Sequence, residues 1–187
     1  CCSRQIINCD VKPANILFVR EGAGFVLKLA DFSHSRFTYG APLRIGDPDR
    51  LYTIWYRAPE LLLGSRDVTP QIDIWAAGCV IAEMLSGEPL FTGADVGAQL
   101  KSILGVLGTP TELAWPGVSR LPGFKGLPAL PPRDLGAVLT ARARRRLRAD
   151  GYVVDPHAID LVRRLLCYDP ARRLRAGKAL AHPYCVK

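Results

Sequence analysis

Asp10-Val11-Lys12-Pro13-Ala14-Asn15, then Ala30-Asp31-Phe32-Ser33, then Ala58-Pro59-Glu60, is the ordered set from which the rest of the chain is read. It sets two carboxylates, an amide and an ammonium at the spacing that phosphoryl transfer needs. That chemistry holds an acceptor hydroxyl with one carboxylate, and metal ions with a second carboxylate and an amide. Asp10 suits the first role, and Asn15 and Asp31 suit the second. Lys12 follows Asp10 by two residues, so in an extended loop both side chains face one side.

Ile16 to Val19 and Phe25 to Ala30 are short apolar runs joined by Arg20-Glu21-Gly22-Ala23-Gly24. They predict a small β-hairpin with the Asp10 and Asp31 loops at its two ends. The glycine pair lacks the third glycine of a phosphate-covering loop, because position 27 is Leu, and reads as the hairpin turn.

Thr69-Pro70 is a helix start and Gly87 a stop. The residues between are apolar nearly all round, which predicts a core helix from Pro70 to Ser86. Asp73 is then a charge on a buried helix and needs donors, for which the backbone amides of the Asp10 loop are the candidates. Further helices are predicted after Asp95, after Asp155-Pro156 and near Ala176 to Ala181. Thr109 to Pro132 holds six prolines and reads as an ordered loop or insertion.

The chain has 187 residues, 49% of them apolar, enough for one sizeable core. No apolar run approaches the ~20 residues of a membrane helix, and Cys1-Cys2-Ser3-Arg4 opens no signal peptide. The six cysteines form no C-x-x-C pair and no zinc spacing, so reduced thiols and an intracellular location, nucleus and/or cytoplasm, are expected. Net charge is +8, much of it in Arg142, Arg144, Arg145, Arg146 and Arg148. That run suits nucleic acid, an acidic partner or a nuclear import receptor, and reads first as a solvated helix face in a long insert. With no aromatic residues interleaved it offers no stacking platform, and nucleic-acid binding is not expected.

The ordered set D-x-K-P-x-N, DF and APE resembles the catalytic and metal-binding loops of eukaryotic protein kinases. Trp55-Tyr56-Arg57-Ala58-Pro59-Glu60-Leu61-Leu62-Leu63-Gly64 is similar to the cyclin-dependent and mitogen-activated branch. Leu107-Gly108-Thr109-Pro110, Trp115-Pro116-Gly117-Val118 and Tyr168-Asp169-Pro170 resemble cyclin-dependent kinases more narrowly. Pro13 to Leu17 resembles the Mediator-associated members, and Leu107 to Val118 the cell-cycle members; both stay open.

The resemblance implies a mainly α fold with one small hairpin, the C-terminal lobe of a two-lobe α+β kinase over 1–187, with an insert at about 109–150. It implies a serine/threonine kinase using ATP and Mg2+, a protein substrate and a cyclin partner. Asp10 would orient the acceptor hydroxyl, Lys12 would steady the γ-phosphate, and Thr53 would bridge the two. Asn15 and Asp31 would hold magnesium beside the nucleotide, and Tyr52 and Arg57 would border the pocket after the phosphoacceptor. Glu60 would pair with Arg173, and Asp73 would hold the catalytic loop. The N-terminal lobe, with its glycine loop, lysine and glutamate, is absent from the sequence, so the chain alone is expected to be inactive.

Three positions depart from the family pattern. Asn8-Cys9 stands where His-Arg precedes the catalytic Asp, and Asn8 is expected to fill that place poorly. Pro48 stands where the activation threonine is expected, leaving Asp47 or Asp49 as a fixed charge for Arg36, or as plain turn residues. Ser33 replaces a glycine and is expected to strain the backbone. These departures keep open a pseudokinase scaffold that binds partners without catalysis.

Overall fold

The computed structural model describes residues 5–38, 43–44 and 53–186. Among the described residues the chain is mainly helical, with three two-stranded antiparallel pairs that all lie between Ile6 and Val68. The strands are β1 (Ile6–Ile7), β2 (Ile16–Glu21), β3 (Gly24–Leu29), β4 (Arg36–Phe37), β5 (Leu43–Arg44) and β6 (Asp67–Val68). The helices are α1 (Pro59–Leu62), α2 (Gln71–Ser86), α3 (Val96–Leu107), α4 (Leu135–Leu147), α5 (Pro156–Leu165) and α6 (Ala176–Leu180).

The β2–β3 hairpin stands where the apolar runs place it, in register from Ile16 opposite Leu29 to Glu21 opposite Gly24. Gly22, at φ 60°, makes the tight turn that a side chain would strain. One hairpin is not the whole of the strand content. β1 pairs with β4 and β5 with β6, each over two residues. Two-residue ladders leave no periodic trace in a sequence, because alternation needs at least four positions to register.

α2 forms the centre. Trp75 is fully buried on it, with Ile72, Cys79 and Ala82. Trp75 stacks on Phe91 with ring centroids 6.0 Å apart, and Tyr168 joins at 6.3 Å. α5 packs Leu161, Val162 and Leu165 against α2, and α4 packs Val138 and Leu139. Gly78 marks the closest approach, since a Cβ there would meet Leu165 and Leu166 side-chain atoms at 2.9 Å.

The helix begins at Gln71 rather than Pro70: Pro70 is the cap, and Thr69 Oγ1 accepts the Gln71 N–H at 3.4 Å. It ends on Gly87 at φ 76°, as its glycine predicts. Burial is not complete around it, for Met84 in the last turn is 71% exposed.

Asp95 caps α3 by accepting the Ala98 N–H at 2.8 Å, and Asp155 caps α5 by accepting the His157 N–H at 2.8 Å. The proline-rich stretch after Gly108 contains two short 3-10 turns, Val118–Arg120 and Pro122–Phe124. Glu112 ties the first of these by accepting the Gly117 N–H at 2.7 Å and the Ser119 N–H at 2.9 Å.

Residues 135–147, which carry most of the arginine run, form a capped helix packed on α2. The run is therefore only partly a solvated face. Arg142 turns inward, its Nη1 donating to Pro89 O at 3.2 Å and Leu90 O at 2.8 Å.

None of the described cysteines, Cys9, Cys79, Cys167 and Cys185, is in a disulfide. Among the described residues no helix is long and apolar enough to cross a membrane.

Candidate active site

The Asp10 loop is shaped from below by α2. Asp73 lies in the first turn of that helix, and its two carboxylate oxygens accept the Asn8 N–H at 2.7 Å and the Cys9 N–H at 2.8 Å. Cys9 holds φ 71°, a left-handed conformation that a β-carbon disfavours. The paired bonds from a buried carboxylate hold it there. Burial pushes the Asp73 carboxyl up, against the two backbone donors that favour its charged form.

On the other side, Pro13–Asn15 forms a short 3-10 turn that leads into β2. Pro13 fits because the first position of such a turn needs no N–H donor. Asn15 O accepts the Ala30 N–H at 2.8 Å, closing the base of the hairpin. Asp31 is the next residue, so the hairpin sets the Asn15 and Asp31 loops side by side.

Asp10 is 7% exposed and densely contacted. Lys12 Nζ lies 2.6 Å from Asp10 Oδ2 and donates to Thr53 Oγ1 at 2.8 Å. The Thr53 hydroxyl in turn donates to Asp10 Oδ1 at 3.2 Å, so it bridges the two charged groups. Burial opposes ionisation of Asp10, but the Lys12 ammonium and the Thr53 N–H and hydroxyl outweigh it and hold the carboxyl below the usual range. Asp10 is thus an anion at neutral pH, oriented by a cation and a hydroxyl.

Asn15 Nδ2 donates to Asp10 O at 2.9 Å and to Asp10 Oδ2 at 3.0 Å. Both amide hydrogens are spent on Asp10, which leaves Oδ1 as the donor atom for a cation. Asp31 is exposed at φ 58°. Its Oδ1 accepts the Ser33 hydroxyl at 2.6 Å and the Ser33 N–H at 3.1 Å, and these bonds hold its carboxyl below the usual range.

Two expectations about the departures are corrected. Ser33 carries no left-handed backbone; the positive φ falls on Asp31 and Cys9. The serine instead adds a hydroxyl bond to the carboxylate. Nor is Asn8 a poor filler. It is fully buried, its Oδ1 accepts the Asp10 N–H at 3.1 Å, and its Nδ2 donates to Asp31 O at 3.0 Å. Asn8 therefore ties the Asp10 loop to the Asp31 loop. The signal for it was legible as an Asx-turn, a side-chain amide two residues before the N–H it accepts.

The other candidates divide. Arg57 is 5% exposed and lines a cavity of ≈ 20 Å³ behind the Asp10 loop, with Tyr56, Ala58 and Asp73. It is buried there and presents no open wall. Tyr52 lies outside the described residues, as do Asp47, Pro48 and Asp49.

Glu60 and Arg173 form a bidentate pair at 2.9 and 3.0 Å. The remaining Arg173 donors reach Gln71 O at 2.6 Å, Cys167 O at 3.0 Å and Tyr168 O at 3.2 Å, and the guanidinium lies 5.3 Å over Trp75. One buried arginine thereby joins α1, α2 and the loop after α5.

The Asp10 carboxylate is thus held by a lysine, a threonine and an amide, with the Asp31 loop alongside. A model of the protein kinase domain matches residues 1–185. The chain belongs to the protein kinase family. Kinases of this family use ATP with Mg2+, whose charge neutralises the phosphates. Asn15 Oδ1 and the Asp31 carboxylate are hard oxygen donors of the kind Mg2+ takes alongside substrate phosphates. Among the described residues no three His, Cys, Asp or Glu side chains gather as a metal site.

Proposed function

We propose that the chain is the catalytic-loop lobe of a protein serine/threonine kinase of the cyclin-dependent type. The observation that carries this reading is the Asp10–Lys12–Thr53 triangle, with distances of 2.6, 2.8 and 3.2 Å. Asp10 accepts the hydrogen bond of the substrate hydroxyl and orients its oxygen for in-line attack. Lys12, shared between Asp10 and Thr53, is placed to meet the γ-phosphate charge as it develops. Asn15 and Asp31 hold magnesium, which supplies charge neutralisation when bound.

The cyclin-dependent assignment rests on the Trp55 to Gly64, Leu107 to Val118 and Tyr168 to Pro170 stretches, and implies a cyclin partner and an intracellular site of action. Arg57, from beneath, and Tyr52 shape the residue preference after the phosphoacceptor.

The test is transfer of labelled γ-phosphate from MgATP to a degenerate peptide library, by the protein as its gene encodes it. Phosphoserine and phosphothreonine alone are expected. Label on tyrosine would overturn the acceptor class. Absence of transfer, with a partner-binding helical lobe intact, would favour the scaffold reading.

A further inference from the structure

At the end of α2 remote from the Asp10 loop, Glu88 faces one stripe of α4. From Asp73 to Gly87 the helix runs about 20 Å, so this region is separate from the site above. Val138, Ala141, Arg142 and Arg145 fall at i, i+3, i+4 and i+7 and share one face of α4. With Glu88 and Arg133 they line an open cleft of ≈ 320 Å³.

The charges in this cleft do not balance. Glu88 Oε1 lies 2.6 Å from Arg145 Nη2 and 3.6 Å from Arg142 Nε, so one carboxylate serves two guanidinium groups. Arg133, the third cation, makes no side-chain hydrogen bond or ion pair among the described residues. Arg142 is held in place by the Pro89 and Leu90 carbonyls. Burial pushes its guanidinium pKa down; Glu88 opposes this, and the Arg145 and Arg133 charges add to it. An anion of charge −2 entering this cleft would offset the excess of guanidinium charge and offer acceptors to Arg133 and Arg145.

We propose that this cleft binds a phosphorylated segment of a protein partner, with the phosphate between Arg133 and Arg145. The space is far larger than a bare phosphate and takes a phosphorylated side chain with its neighbouring backbone against Val138 and Ala141. No aromatic side chain lines it, so the bases of a nucleic acid would have nothing to stack on.

The test is fluorescence anisotropy of the 187-residue chain with a short phosphoserine peptide, its unphosphorylated twin and a single-stranded RNA. The phosphopeptide should bind and its twin should not. Arg133→Gln with Arg145→Gln should weaken binding by about tenfold or more. Glu88→Gln removes the competing anion and should tighten binding, a gain that misfolding cannot imitate. Circular dichroism of each variant should match the parent. Equal binding of the twins, an unchanged affinity in the arginine variant, or weaker binding by Glu88→Gln overturns the proposal. So does tighter binding of the RNA, or displacement of the peptide by an equal concentration of inorganic phosphate.

Discussion

The Asp73 carboxylate accepts the Cys9 N–H at 2.8 Å across 64 residues of sequence, and Cys9 stands at φ 71°. The strain of the Asp10 loop is thus sustained by a helix that the hydrophobic core fixes independently. Fold and site meet at this bond: the core sets α2, α2 sets Asp73, and Asp73 sets the loop that presents Asp10.

Asn8 joins that loop to the next. Asn8→Ala leaves the Asp10 N–H and the Asp31 carbonyl without their partners, at a cost of about 1–3 kcal/mol. We expect a lower melting temperature and faster hydrogen exchange at the Asp10 amide than in the parent. Unchanged exchange there would show that Asn8 merely fills space.

Arg173 should be among the most sensitive positions. It is 2% exposed and its donors are all engaged. Arg173→Ala leaves Glu60 as a buried unpaired charge and should destabilise the chain by about 3–5 kcal/mol in denaturant unfolding. Arg173→Lys keeps the charge but not the forked geometry, and should remain well short of the parent midpoint.

Glu112 gives a pH signature. The Ser119 hydroxyl, with the Gly117 and Ser119 N–H groups, holds its carboxyl at about 2, below the usual 4.5. A folded pKa below the unfolded one means that the stabilisation is present above about 4.5 and is lost as pH falls toward 2. Carbon-detected NMR should follow the Glu112 carboxyl to a midpoint near 2, and Glu112→Gln should remove that part of the acid sensitivity. A midpoint near 4.5 would mean that the turn does not hold it.

Much of this was legible in the residues. The hairpin, the capped helices at Asp95 and Asp155 and the core helix ending on Gly87 follow from local chemistry that the sequence states outright. Asp73 announced itself as a charge on an apolar helix. What stayed hidden depends on partners distant in sequence. The strand pairs β1–β4 and β5–β6 are too short to leave a pattern. The inward turn of Arg142 depends on carbonyls at Pro89 and Leu90. The Asx-turn of Asn8 is local, but its bond to Asp31 O, 23 residues on, appears only once the two loops fold together. Asn8, a departure from the family pattern that reads as a loss, ties the Asp10 loop to the Asp31 loop in the structure, and Ser33 adds a hydroxyl bond within its own loop.

On the proposed reading, Asp10 orients the acceptor hydroxyl for phosphoryl transfer. The most direct measurement is turnover of a serine peptide with MgATP by the protein as its gene encodes it, comparing the parent with Asp10→Asn. Loss of the carboxylate should lower kcat by about a hundredfold or more, with KM for ATP little changed and the melting temperature retained. Near-parent turnover in Asp10→Asn would contradict the account.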